Sequence, residues 1–147
     1  MKNFEENASL RAYIRLQEQI AEAYHEIAVR QGLSDSAQMI LFALWELGEG
    51  CTQKDICGYT YLNKQTVNSS VHRMEENGYI CFQPGVGREV RILLTDGGRA
   101  LLEEKVLPIV RAESAVFDSM TDGERQELLR LTRLYLDRFR AGTAQIR

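Results

Sequence analysis

The stretch NKQTVNSSVHRMEENGYICFQPGVGREVRILLT, Asn63 to Thr95, changes its hydrophobic period half-way along, and that change decides the fold. In its first part Val67, Val71 and Met74 recur every three or four residues, as one face of a helix does. Asn63 stands where a helix cap is wanted, and Asn77-Gly78 supplies a left-handed stop. After Tyr79 the spacing falls to two, with Val90, Ile92 and Leu94 alternating, and Pro84-Gly85-Val86-Gly87 turns the chain. The expectation is a short amphipathic helix followed by a β-hairpin.

Working outward toward the N-terminus, Thr52 and Asp55 approximate a capping box for a short helix, TQKDICGY, that Gly58 weakens and that is expected to end near Tyr59. Before it, Ser34 or Asp35 can cap a helix carrying Met39, Ile40, Phe42, Ala43, Leu44, Trp45 and Leu47 around nearly its whole circumference, closed by Gly48. Such a helix is expected to be buried on several sides. Earlier still, Tyr13, Leu16, Ile20, Tyr24 and Ile27 form one stripe of a long helix stopped by Gly32.

On the C-terminal side Thr95 can cap a helix with Leu101, Leu102, Val106, Ile109, Val110, Val116 and Phe117, which Pro108 kinks or interrupts. Thr121 and Glu124 form a second capping box, opening a last helix with Leu128, Leu131, Leu134, Tyr135, Leu136 and Phe139 before Gly142. No internal repeat is visible. Three closely spaced helices and a hairpin within residues 34–94 are the order of a winged helix-turn-helix, so the fold class is mainly α with a small β-hairpin wing.

Bulk properties bound what such a chain does. At 147 residues it suits one domain, and with 44% hydrophobic and 27% charged residues it reads as globular. No run approaches the ~18 apolar residues of a membrane span. The start, Met-Lys-Asn-Phe-Glu-Glu-Asn, has none of the features of a secretory signal, so a cytoplasmic location is expected. Cys51, Cys57 and Cys81 are odd in number and scattered, which fits reduced thiols.

The formal charge of −3 excludes a generally basic coat, so any contact with nucleic acid must come from a local face. Residues 52–94 hold five Lys/Arg against four Asp/Glu, whereas the remainder holds 13 against 17. The excess has the sign expected of a DNA-binding centre between acidic helices.

With ~100° per residue in the helix from Asn63, the side chains of Gln65, Asn68, Ser69 and His72 fall opposite Val67, Val71 and Met74. Amides, hydroxyls and an imidazole can bond base edges in a major groove, while Lys64, Thr66 and Arg73 at the margins suit phosphate oxygens. Taken alone, this face is also what any solvated surface helix shows. The hairpin changes the balance, because Arg88 and Arg91 just past its tip are placed for an adjacent minor groove or its phosphates.

The segment from Leu33 to Leu102 resembles the MarR family of regulators. The resemblance is carried by Leu33-Ser34, by NKQTVNSSVHRMEENGYI with Glu75 and Gly78, by Arg88 in the wing, and by Leu94-Thr95-Asp96-Gly97-Gly98. It implies a homodimer with the helices of residues 8–31 and 95–141 at the interface, binding double-stranded DNA through residues 34–94, most often as a repressor responsive to a small-molecule effector. One departure stands out: the wing aspartate of the family falls at Val86, so the usual brace for the wing arginine is missing.

Other chemistries leave little trace. His25 and His72 lie far apart and the cysteines are isolated, so no metal site or cofactor is expected. Cys51, just before the helix capped by Thr52, is a candidate for a dipole-lowered thiol and redox sensing, although a small buried residue is the commoner role. No catalytic motif is visible, and Gly85-Val86-Gly87 lies in a hairpin rather than before a helix. Tyr13, Tyr24, Phe42 and Trp45 are candidates for an effector pocket, with core packing as the plainer alternative. A rival function remains: a winged-helix interaction module that binds no specific DNA.

Overall fold

The computed structural model describes residues 7–146, so the polar start read at residues 1–6 lies outside the described residues. The chain divides after Val106 into two units. The first holds α1 (Ala8–Arg30), α2 (Asp35–Leu47), β1 (Cys51–Thr52), α3 (Gln53–Thr60), α4 (Lys64–Glu76), β2 (Ile80–Pro84), β3 (Val90–Leu94) and α5 (Asp96–Lys105); the second holds α6 (Leu107–Ser119) and α7 (Asp122–Thr143).

Most boundaries are set by the capping residues expected of them. Ser34 accepts from the Ala37 N–H at the start of α2, Asn63 from the Thr66 N–H at the start of α4, and Thr95 from the Gly98 N–H at the start of α5. The Thr52–Asp55 and Thr121–Glu124 capping boxes are both complete. Each such cap is worth ~1 kcal/mol, because it satisfies a backbone donor that the first helical turn leaves without a partner.

Two helices run past their expected ends. α3 continues through Gly58 and closes only where the Tyr61 N–H donates to the Cys57 carbonyl at 3.0 Å. α7 passes Gly142, its end held by Thr143, whose hydroxyl donates to the Phe139 carbonyl at 2.7 Å. The helix expected after Thr95 is two, α5 and α6, broken at Val106, with Pro108 in the first turn of α6 where a missing N–H costs nothing.

The sheet has three strands in the order β1-β3-β2, all antiparallel. In the hairpin Ile80 faces Leu94, Phe82 faces Ile92 and Pro84 faces Val90, so the wing tip comprises residues 85–89. The third strand, β1, pairs Cys51 with Ile92 and Thr52 with Arg91. Two residues carry no periodicity, which is why the sequence did not announce it.

The core of the first unit gathers Ile40, Leu41 and Leu44 of α2, Ile56 of α3, Val67 and Val71 of α4, and Ile80 and Ile92 of the sheet, all essentially inaccessible. Burying a side chain of this size is worth ~1.5–3 kcal/mol. α2 is less enclosed than its composition suggests: Met39, Trp45 and Leu47 are exposed while Ile40, Leu41, Ala43 and Leu44 form its buried face. The stripe of α1 is also open, with Leu16 and Ile20 exposed and only Ala28 fully buried. Val90, expected to alternate inward with Ile92 and Leu94, is exposed because it lies where the hairpin runs out from the core.

Candidate nucleic-acid interface

α4 turns its apolar side inward. Val67, Val71 and Met74 are buried, and Gln65, Asn68, Ser69, His72 and Arg73 are exposed on the remainder of the helix. The helix is held against α2 by the Ser36 and Ser70 hydroxyls, 2.9 Å apart, a pairing that the sequence does not signal. Gln65 and Asn68 spend their side chains on no partner among the described residues. Ser69 donates to the Gln65 carbonyl at 2.6 Å, which leaves only its acceptor capacity outward. Lys64 is exposed at the first position of the helix and Thr66 half-buried.

His72 stands at the wing side of the helix. Its ring meets Phe82 of β2 edge-on, with centroids 5.3 Å apart, and its Nδ1 lies 3.4 Å from Glu75. Phe82 therefore orients one candidate reading side chain and ties α4 to the wing, a role hidden in the sequence because the two residues belong to different elements.

The two wing arginines differ. Arg88 is exposed in the tip and has no ion-pair partner among the described residues. Arg91 lies in β3 and is paired with Glu89 at 3.2 Å, its side chain running past Gly85 and Gly50. Val86 at the tip is 84% exposed. With no aspartate at that place, the wing carries an acid–arginine brace between Glu89 and Arg91 instead, and Arg88 keeps its charge free for an external anion.

The junction behind the wing is cross-linked by hydrogen bonds. Thr95 donates to the Gly78 carbonyl at 2.6 Å and accepts from the Gly98 N–H at 3.0 Å, so one hydroxyl joins the end of α4 to the start of α5. At Gly98 a Cβ would overlap the Tyr79 carbonyl oxygen, which explains why Leu94-Thr95-Asp96-Gly97-Gly98 needs glycine there. Arg99 locks the same corner by reaching Glu49 at 2.6 Å, Asp96 at 2.9 Å and the Leu94 carbonyl at 3.0 Å. These bonds make the angle between α4 and the wing a property of the packed unit rather than of either element.

Behind α4 lies a cavity of about 220 Å³, with Leu33, Leu41, Ser70, Arg73, Met74 and Tyr79 in its lining. None of Tyr13, Tyr24, Phe42 or Trp45 lines it: Tyr13 and Phe42 are half-buried, and Tyr24 and Trp45 are exposed. Cys51 is buried in β1, and burial, followed by the nearby Asp55, pushes its thiol pKa up. Loss of solvation disfavours the charged form, which speaks against a dipole-lowered thiolate and fits the commoner alternative of a small buried residue. Cys57 and Cys81 are free and half-buried. No helix among the described residues is long and apolar enough to cross a membrane.

A buried three-helix core whose last helix turns a polar face outward, with a basic hairpin beside it, defines a winged helix-turn-helix protein. Within that class the chain is MarR-like: residues 31–89 match the model of the MarR family. It is 28% identical over 118 residues to YwoH, an uncharacterised HTH-type transcriptional regulator of Bacillus subtilis (strain 168), covering 80% of this chain and 85% of that protein. Its fold is shared by NMB1585, a MarR family regulator from Neisseria meningitidis, with a TM-score of 0.80, 21% identity, and 97% and 100% of the two chains covered. It is also shared by S. aureus MepR in a complex with DNA, with a TM-score of 0.74, 16% identity, and 93% and 99% covered.

Proposed function

We propose that the chain is a cytoplasmic, sequence-specific double-stranded DNA-binding transcriptional regulator without enzymatic activity. It acts as a homodimer on a pseudo-palindromic operator, as a repressor released by a small effector. The observation that carries this reading is the division of α4: its apolar side is consumed by the core, while Gln65 and Asn68 face outward without partners, and Arg88 of the wing tip is unpaired as well. Residues 34–94 bind DNA in this reading, and residues 8–31 and 95–141 dimerise. The MarR likeness of residues 31–89 and the shared fold of a DNA-bound neighbour support it.

In the mechanism, each subunit inserts α4 into a major groove, the two helices one turn of duplex apart, about 34 Å. Gln65, Asn68, Ser69 and His72 read base edges, while Lys64, Thr66 and Arg73 bond phosphates. Arg88 grips the flanking backbone or minor groove, and Arg91, held by Glu89, stiffens the wing. Exposed apolar side chains on α1 (Leu16, Ile20) and, separately, on α7 (Leu131, Phe139) support a second copy as partner, since neither unit covers its own. An effector acts by favouring a dimer geometry in which the two α4 helices no longer match the half-site spacing. Tyr13, Tyr24, Phe42 and Trp45 are its proposed contacts.

The test is a titration of the purified protein against labelled DNA from upstream of its own gene and a scrambled duplex of equal length, at two salt concentrations. Discrimination of ~10³-fold or more is expected of a specific regulator. Equal, salt-fragile binding to both would sink that reading for this DNA and favour an interaction module.

A further inference from the structure

Among the described residues Tyr61 alone combines a side chain with a positive φ, at 57°. Non-glycine residues pay a steric penalty there, and bulky ones are outliers. The turn imposes this conformation from both sides. The Tyr61 N–H donates to the Cys57 carbonyl at 3.0 Å, the Leu62 N–H donates to the Thr60 hydroxyl at 3.3 Å, and that hydroxyl donates to the Ile56 carbonyl at 2.8 Å. Asn63 then caps α4 by accepting from the Thr66 N–H at 2.8 Å.

Packing does not offset the strain, because Tyr61 is 85% exposed, the most open of the large hydrophobic side chains. Glycine or asparagine would hold the turn with less strain. A strained aromatic that contributes almost nothing to the core is best explained by what it meets outside the chain.

Its position says what that is. Tyr61 stands three residues before Lys64, at the entrance to α4. The N-terminal residues of a recognition helix approach the base edges, so the turn leading into it passes the phosphates that line the groove. We propose that Tyr61 is a DNA-backbone contact, its phenol donating to a phosphate oxygen and setting how far α4 enters the groove. This deepens the DNA-binding reading above and rests on it.

The experiment uses the full chain as wild type, Tyr61→Phe and Tyr61→Asn, titrated against the upstream duplex and the scrambled duplex at two salt concentrations, with melting curves for each protein. Both variants are expected to weaken both duplexes by a common factor, roughly tenfold, as loss of a hydrogen bond to a charged group predicts. The salt slope stays unchanged because no cation is lost. Tyr61→Asn melts no lower than wild type, since asparagine tolerates the left-handed conformation.

Unchanged affinity in either variant overturns the assignment. A loss confined to the upstream duplex also overturns it, because that would make Tyr61 a base reader. If wild type binds the two duplexes equally, the specific-regulator reading fails while the scrambled duplex still decides Tyr61. If wild type binds neither at low salt, both fail.

Discussion

α4 and α7 are both amphipathic helices, yet they end in opposite conditions. α4, with 13 residues, buries Val67, Val71 and Met74 and leaves a polar face outward. α7, with 22 residues, buries none, and Leu128, Leu129, Leu131, Leu136 and Phe139 stay more than 40% exposed. The contrast separates two kinds of unfinished surface. A helix whose apolar side is already consumed can only offer its polar side, which suits a polar ligand; a helix whose apolar side is uncovered calls for another protein surface.

The largest expected effect breaks the comparison at α7. Leu131→Asp combined with Phe139→Asp should convert a dimer to a monomer in sedimentation and weaken operator binding by roughly 10²- to 10⁴-fold, the value of linking two half-site contacts. An unchanged mass would mean that α7 is not the interface.

Next comes the core behind α4. Ile92→Ala should cost ~2–5 kcal/mol by chemical denaturation. Because Ile92 is wholly buried within the first unit, cooperative unfolding should show this cost in the transition of that unit, including in the α7 double variant. A cost that vanishes in that background would tie the core to assembly and erase the distinction between the two regions.

A smaller effect tests the polar face. Asn68→Ala or His72→Ala should relax discrimination among operator variants by ~1–3 kcal/mol each, whereas Arg88→Ala should weaken all sequences alike and lower the salt slope by ~1. Neutrality of both Asn68 and His72 across a panel of operators would move the reading face elsewhere.

The smallest effect concerns pH. His25 of α1 bonds Asp35 of α2 at 2.9 Å, and that hydrogen bond and charge, helped by Glu22 and Glu26, raise its pKa above 6.5. A folded-state pKa above the unfolded one means that the contribution is full below the unfolded value and is lost as pH rises through the folded value. The melting temperature of wild type should therefore decline more than that of His25→Gln across the pH range just above 6.5. Parallel profiles would show that the pair is fully screened.

Much of the first unit is legible in sequence because its signals are local. The period of Val67, Val71 and Met74, the caps at Ser34, Asn63 and Thr95, and the capping boxes all act within a few residues, where backbone geometry leaves few alternatives. What escaped notice depends on contacts between elements. β1 is too short to show a pattern, Phe82 orients His72 from a strand beside its helix, and Arg91 is braced by Glu89 while Arg88 is left unbraced. Cys51 fits the commoner of its two readings, a small buried residue, because burial in the sheet outweighs its place before a helix start.

By itself, then, the sequence determined where the capped helices begin, where the wing turns, and which side of α4 is polar, because capping and periodicity are settled by neighbours along the chain. Only the tertiary structure decided that the stripes of α1 and α7 stay uncovered, that Arg88 rather than Arg91 is the open wing cation, and that Tyr61 holds a left-handed turn with its ring in solvent. An apolar or charged residue announces that it wants a partner; whether one lies within reach is a matter of packing in three dimensions.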